Sequence, residues 1–107
     1  MGKLNGQVAI ITGGARGIGE GICKVFCNEG AMVALWDIMD EGQNTADRIK
    51  DEGGEIIFQN VNVSDQSSVD KAVEKLISEY GKIDILINNA GIIRDRSFLK
   101  MSRDEWD

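Results

Sequence analysis

The sequence predicts an α/β fold, a three-layer, doubly wound parallel sheet with helices on both faces. Three observations carry this. Unbroken apolar runs such as Met32 to Trp36 read as strands buried on both faces. Segments of helical periodicity, about a dozen residues long, separate them. The first apolar run passes straight through a glycine cluster into the first helical pattern. Alternating strands and helices assemble as parallel sheets joined by right-handed crossovers.

The elements follow in order. The first strand spans about Val8 to Thr12. The first helix runs from about Gly17 to Glu29, with Ile18, Ile22, Val25 and Phe26 spaced to share one face, and Gly30 ends it. The second strand is Met32 to Trp36, closed by Asp37. The second helix spans Glu41 to Asp51, and its inner face is Gly42, Thr45, Ala46 and Ile49. Small residues on that face predict close approach to the sheet. Gly53-Gly54 stops the helix, and Glu55 to Gln59 form the third strand. Val61-Asn62-Val63 reads as its extension or as a short loop.

Ser64 or Asp65 caps the third helix. Its Val69, Ala72, Val73, Leu76, Ile77 and Tyr80 follow the i, i+3, i+4, i+7 rule, and Gly81 ends it. The fourth strand, Ile83 to Ile87, leads into Asn88-Asn89-Ala90-Gly91. Ser102 with Glu105 forms a capping box for a fourth helix.

The 107 residues form one domain by length, with no proline and no linker to divide them. A net charge of −6, scattered along the chain, argues against a nucleic-acid or anionic-membrane surface. No apolar stretch approaches the ~20 residues of a membrane span. The first residues carry no long apolar region for a signal peptide, and Gly6 stands where a myristoylation signal wants Ser or Thr. The expected location is the cytoplasm. Cys23 and Cys27, four apart on one helix, suit small apolar fillers and not a disulfide. The chain has no histidine and too few ligands for zinc.

The chemistry centres on Ile10-Ile11-Thr12-Gly13-Gly14-Ala15-Arg16-Gly17-Ile18-Gly19. A helix N-terminus presents unpaired N–H donors and about +0.5 of an elementary charge. Glycines ahead of it let a phosphate approach the backbone. Gly13, Ala15, Arg16, Gly17, Ile18 and Gly19 are therefore candidate contacts for a diphosphate. The spacing is G-x-x-x-G-x-G, which is neither the G-x-G-x-x-G fingerprint nor a Gly-Lys-Ser/Thr P-loop. A plain glycine-rich turn is the competing reading.

Thr12-Gly13-x-x-x-Gly17-Ile18-Gly19 together with Asn88-Asn89-Ala90-Gly91 resembles the short-chain dehydrogenase/reductase family, which has both motifs in this order. The resemblance runs from about Leu4 to Trp106. Asn88 to Asp95, with Met101 and Trp106, looks most like the 3-oxoacyl-carrier-protein and acetoacetyl-CoA reductases. It implies a partial Rossmann sheet, with strand order 3-2-1-4 and a bound nicotinamide dinucleotide. Asp37 lies 18 residues after Gly19, where an acid can accept hydrogen bonds from the adenosine ribose. The competing reading is a helix-start acid beside Asp40 and Glu41.

The same carboxylate would repel a 2′-phosphate. Arg16 pulls towards NADP, but no second basic residue follows Asp37, so the expectation is NAD over NADP. Asp37 and Ile38 thus join the cofactor-binding candidates. Asn62 and Val63 match the family's adenine-side position, and Asn89, Ala90 and Gly91 match the segment beneath the cofactor ribose.

In this family, hydride transfer depends on an active-site serine and a Tyr-x-x-x-Lys pair, in which lysine lowers the tyrosine pKa. The only tyrosine is Tyr80, followed four residues later by Asp84. The expectation is a Rossmann half-domain over residues 1–107, truncated before the catalytic segment and inactive by itself. No catalytic or metal-binding residue is assigned. Two rival readings remain. One is a non-catalytic nucleotide-binding module. The other is a fragment that self-associates as a homo-oligomer through the bare edge of the fourth strand.

Overall fold

Each apolar run of the sequence is a strand, and each periodic segment between runs is a helix. The computed structural model describes residues 2–89. The order is β1 (Val8–Thr12), α1 (Gly17–Asn28), β2 (Met32–Asp37), α2 (Glu41–Asp51), β3 (Glu55–Asn60), α3 (Gln66–Tyr80) and β4 (Ile85–Ile87). All strand pairs are parallel, and the sheet order is β3-β2-β1-β4. The strand order implied by the motifs is therefore the one observed. The fourth helix expected from Ser102, and the candidates Ala90 and Gly91, lie outside the described residues.

The layering follows from chirality. The chain steps from β1 to β2 to β3 in one direction, then returns past both to β4. Crossovers keep a right hand, so the reversed step puts its helix on the opposite face. The core divides accordingly. Ile10, Ala34 and Trp36 pack with Val69, Val73 and Leu76 of α3 on one face. Ile11, Val33 and Leu35 pack with Cys23 of α1 and Ala46 and Ile49 of α2 on the other. Successive strand residues point to opposite faces, so β1 and β2 serve both cores and are buried along their apolar length.

Two differences from the sequence reading have physical causes. Only part of the expected stripe on α1 faces inward: Ile22 and Phe26 pack against the core. Ile18 is 77% exposed and Val25 57%, whereas Gly19 and Cys23 are buried. Glycine sets this rotation, because a Cβ on Gly19 would collide with the Gly13 carbonyl oxygen. The helix approaches on its smallest residues, and two large aliphatics are left outside. Strand β4 begins at Ile85, not Ile83. The Asp84 carboxylate accepts the Val8 N–H at 2.8 Å, and a side chain thus closes the ladder there.

The other helices behave as their patterns require. Gly42, Thr45, Ala46 and Ile49 are the buried residues of α2, and Gly42 admits the Phe58 ring against its backbone. Asp65 caps α3 by accepting the Ser67 N–H at 3.0 Å. Gly81 ends that helix in the left-handed conformation.

Candidate functional site

At the carboxyl end of β1 the chain direction across the sheet reverses between β1 and β4. In open α/β sheets, ligands bind in the crevice at such a switch point. The glycine turn sits there. Gly13 and Gly17 both adopt φ 65°, in the left-handed region that favours glycine. Gly13 N–H donates to the Trp36 carbonyl at 2.7 Å, docking the turn on the end of β2. Gly14 has no room for a side chain, since a Cβ would lie 2.8 Å from Leu35 Cγ and 3.0 Å from Cys23 Sγ.

Arg16, the N-cap of α1, has an extended backbone and offers no side-chain bond to the first turn. Among the described residues, no side chain caps the amides of that turn. The Arg16 guanidinium lies 3.8 Å from Glu41 and is largely exposed. Ile18 stands open beside it. Ala15 is buried, and its N–H donates to Asp37 Oδ2 at 3.1 Å. Asp37 Oδ1 accepts the Met39 N–H at 3.0 Å. The carboxylate is thus anchored at the mouth of the glycine turn. An ionised carboxylate has about four acceptor positions, so each oxygen keeps one for a further donor.

The strand ends enclose a cleft of about 200 Å³, lined by Gly13, Trp36, Asp37, Ile38 and the segment Val61 to Ser64. Five sequence candidates meet in it: Gly13, Asp37, Ile38, Asn62 and Val63. Asn62 Oδ1 accepts the Ser64 N–H at 2.9 Å, and Ser68 Oγ accepts the Asn62 N–H at 3.0 Å. These bonds set the loop after β3. Asn60 holds the opposite wall by donating to Asp40 Oδ1 at 3.0 Å and to the Ile38 carbonyl at 3.3 Å. Trp36 is fully buried, and its indole N–H donates to Gln59 at 2.8 Å. It forms wall and core.

Asn89 lies under the turn, not in the cleft. Its N–H donates to Thr12 Oγ1 at 2.8 Å and its amide to the Gly13 carbonyl at 3.2 Å. Asn88 Oδ1 accepts from Thr12 Oγ1 at 3.3 Å. The two motifs read separately in the sequence are joined through one threonine. Thr12, Asn60 and Thr45 carry no signal in the sequence for holding the site, although Thr45 reads there as part of the inner face of α2. Thr12 was visible there as the residue before Gly13, but its partners lie 76 and 77 residues away.

Cys23 sits behind the turn, and Cys27 lies by the start of β3, where its thiol donates to the Glu55 carbonyl at 3.8 Å. Burial, reinforced by the neighbouring Cys27 and Glu20, pushes the Cys23 thiol up to about 12. Burial likewise raises Cys27 to about 11. Among the described residues, no cluster of His, Cys, Asp or Glu could hold a metal ion, and no helix is long and apolar enough to cross a membrane.

A parallel sheet ordered 3-2-1-4, with a glycine turn and an anchored carboxylate at its switch point, defines the Rossmann class. The chain belongs to the short-chain dehydrogenase family, whose model matches residues 7–107. It is 45% identical over 104 residues to the 3-oxoacyl-[acyl-carrier-protein] reductase FabG of Chlamydia pneumoniae, which covers 96% of this chain and 42% of that protein. It is 45% identical over 107 residues to the oxidoreductase UcpA of Salmonella typhimurium, covering 100% of this chain and 41% of that protein. The crystal structure of a hydroxysteroid dehydrogenase from Escherichia coli superimposes with a TM-score of 0.78 at 37% identity. That match covers 83% of this chain and 38% of the other. The chain thus spans about two-fifths of the length of the curated relatives it matches.

Proposed function

We propose that these residues form the adenosine and diphosphate side of the cofactor site in an oxidoreductase that uses NAD in preference to NADP. The observation that carries this is the Asp37 carboxylate. It is tied to the glycine turn through Ala15 and lines the same cleft as Gly13 and Asn62. The residues fit the group. The left-handed glycines and the uncapped first turn of α1 offer backbone donors to a diphosphate. Both Asp37 oxygens retain acceptor capacity for a ribose diol, and the cleft beyond takes a flat base.

When bound, the nicotinamide supplies hydride chemistry. This chain's residues supply grip and orientation. We further propose that the parent reaction joins a secondary alcohol and its ketone, with 3-hydroxyacyl and 3-oxoacyl groups as the first class to try. The names of the relatives support this, since they describe carbonyl or hydroxyl chemistry at carbon. Among these 107 residues there is no histidine, and the one tyrosine, Tyr80, is followed at four residues by Asp84. The chain alone is therefore expected to bind nucleotide without turnover.

Calorimetric titration with NAD, NADP and AMP tests the reading, alongside a dehydrogenase assay over several hydroxyacyl substrates. Saturable NAD binding tighter than NADP, with no turnover, is expected. An absence of saturable heat at millimolar NAD would sink the proposal.

A further inference from the structure

The loop that presents the start of α1 is held by a residue outside the glycine motif. Thr45 lies on α2, only 1% exposed, and its hydroxyl donates to the carbonyl oxygen of Ala15. Arg48, three residues on, donates to Thr45 Oγ1 at 3.2 Å and to Glu20 Oε2 at 3.3 Å. Glu20 belongs to the first turn of α1. A threonine hydroxyl has one hydrogen and two acceptor positions. Arg48 fills an acceptor position, which leaves the hydrogen directed at Ala15. A cationic donor also polarises the hydroxyl and strengthens its onward bond.

Ala15 is therefore gripped on both sides. Thr45 holds its carbonyl, and Asp37 accepts its N–H. With Ala15 itself 1% exposed, no solvent stands ready to replace the hydroxyl. The next residue, Arg16, begins the helix: its carbonyl accepts the Glu20 N–H at 3.4 Å.

We infer that Thr45, backed by Arg48, is a positioning residue for the dinucleotide site. It fixes the Ala15 peptide, and through it the pitch of the Gly17 and Ile18 amides and the reach of the Asp37 carboxylate. This rests on the nucleotide-binding reading above. Thr45 does not line the cleft, so its action passes through Ala15. Simple packing on the inner face of α2 is the rival role, and the two separate cleanly. Packing is satisfied by valine, which keeps the shape of threonine. Positioning is not, because valine lacks the hydroxyl.

The test uses the 107-residue chain with Thr45→Val, Thr45→Ser and Arg48→Met. Each is titrated with NAD and NADP, with a melting curve taken alongside. Thr45→Val is expected to raise the Kd for NAD about tenfold, the effect of one buried hydrogen bond, and to narrow the preference over NADP. Thr45→Ser restores the hydroxyl and is expected to bind within about twofold of the original chain. Arg48→Met is expected to fall between them, and it reports even if Thr45→Val fails to fold. Unchanged NAD affinity in folded Thr45→Val, or in Arg48→Met where Thr45→Val does not fold, would overturn the inference while leaving the site intact. A chain that binds no NAD before any substitution would overturn the nucleotide reading itself, and this inference with it.

Discussion

Replacing Asp37 by alanine tests the proposed selection of NAD over NADP. The two Asp37 oxygens accept the Ala15 and Met39 N–H groups at 3.1 and 3.0 Å, so the carboxylate cannot swing away from the turn. A ribose hydroxyl donating to it forms a charge-assisted bond worth about 1.5–3 kcal/mol. Partial exposure of Asp37 argues for the low end of that range. A phosphate near 4 Å from the carboxylate is repelled by about 1 kcal/mol per unit charge in water and about 4 at an effective dielectric of 20. Solvent again favours the lower part, about 1–2 kcal/mol. Losing both effects moves the balance by about 3 kcal/mol, so the NAD-to-NADP affinity ratio is expected to fall about a hundredfold in Asp37→Ala. NAD weakens and NADP strengthens. The anchored amides lose their acceptor, which costs about 1–3 kcal/mol of stability, so titrations belong well below the melting temperature. Calorimetry with both nucleotides at one ionic strength reads the ratio. If NAD and NADP weaken by the same factor, Asp37 is only a loop anchor and the selectivity argument fails.

Three other perturbations follow from the same geometry. Gly19→Ala drives a methyl into the Gly13 carbonyl and to 2.8 Å from Asn89 Nδ2. It is expected to lose about 1–3 kcal/mol in urea denaturation, and a wild-type midpoint would refute the close approach. The raised thiols of buried Cys23 and half-buried Cys27 make stability fall at high pH. Below about 9 both the folded and unfolded chains keep these protons, and pH has no effect through them. Above it the unfolded chain releases them first, so stability drops progressively from about 9 through the folded-state values of about 11 and 12. Alkylation by iodoacetamide at pH 8 should accordingly be slow in the folded chain and fast in urea; equal rates would contradict the upward shift of the two thiols. Finally, β4 has one strand partner among the described residues, β1. A strand edge left unpaired pairs readily with another chain. Light scattering is expected to show self-association as concentration rises, and a clean monomer throughout would remove that expectation.

What the sequence made legible is what depends on side-chain character along the chain. The apolar runs located β1 and β2 because buried parallel strands are apolar on both faces. The inner face of α2 was readable because Gly42, Thr45, Ala46 and Ile49 recur at helical spacing. Periodicity placed Ile22 and Phe26 of α1 inward but misled at Ile18 and Val25, because it weighs residues by hydrophobicity. There the deciding contact was a glycine against a backbone oxygen, which carries no hydrophobic signal and leaves Ile18 outside. The supports of the site were hidden for a related reason. Thr45 reaches the carbonyl of Ala15, 30 residues back, and Asn60 reaches the carbonyl of Ile38, 22 residues back. Every residue offers a carbonyl, so no pattern of residue types marks which one a threonine or asparagine will find. Asp84 is the same case in reverse, a carboxylate read as part of a strand that instead seals the start of β1. The groups that would touch a nucleotide must carry particular chemistry and stand out. Those that aim them meet the backbone, and their roles appear only when the chain is folded.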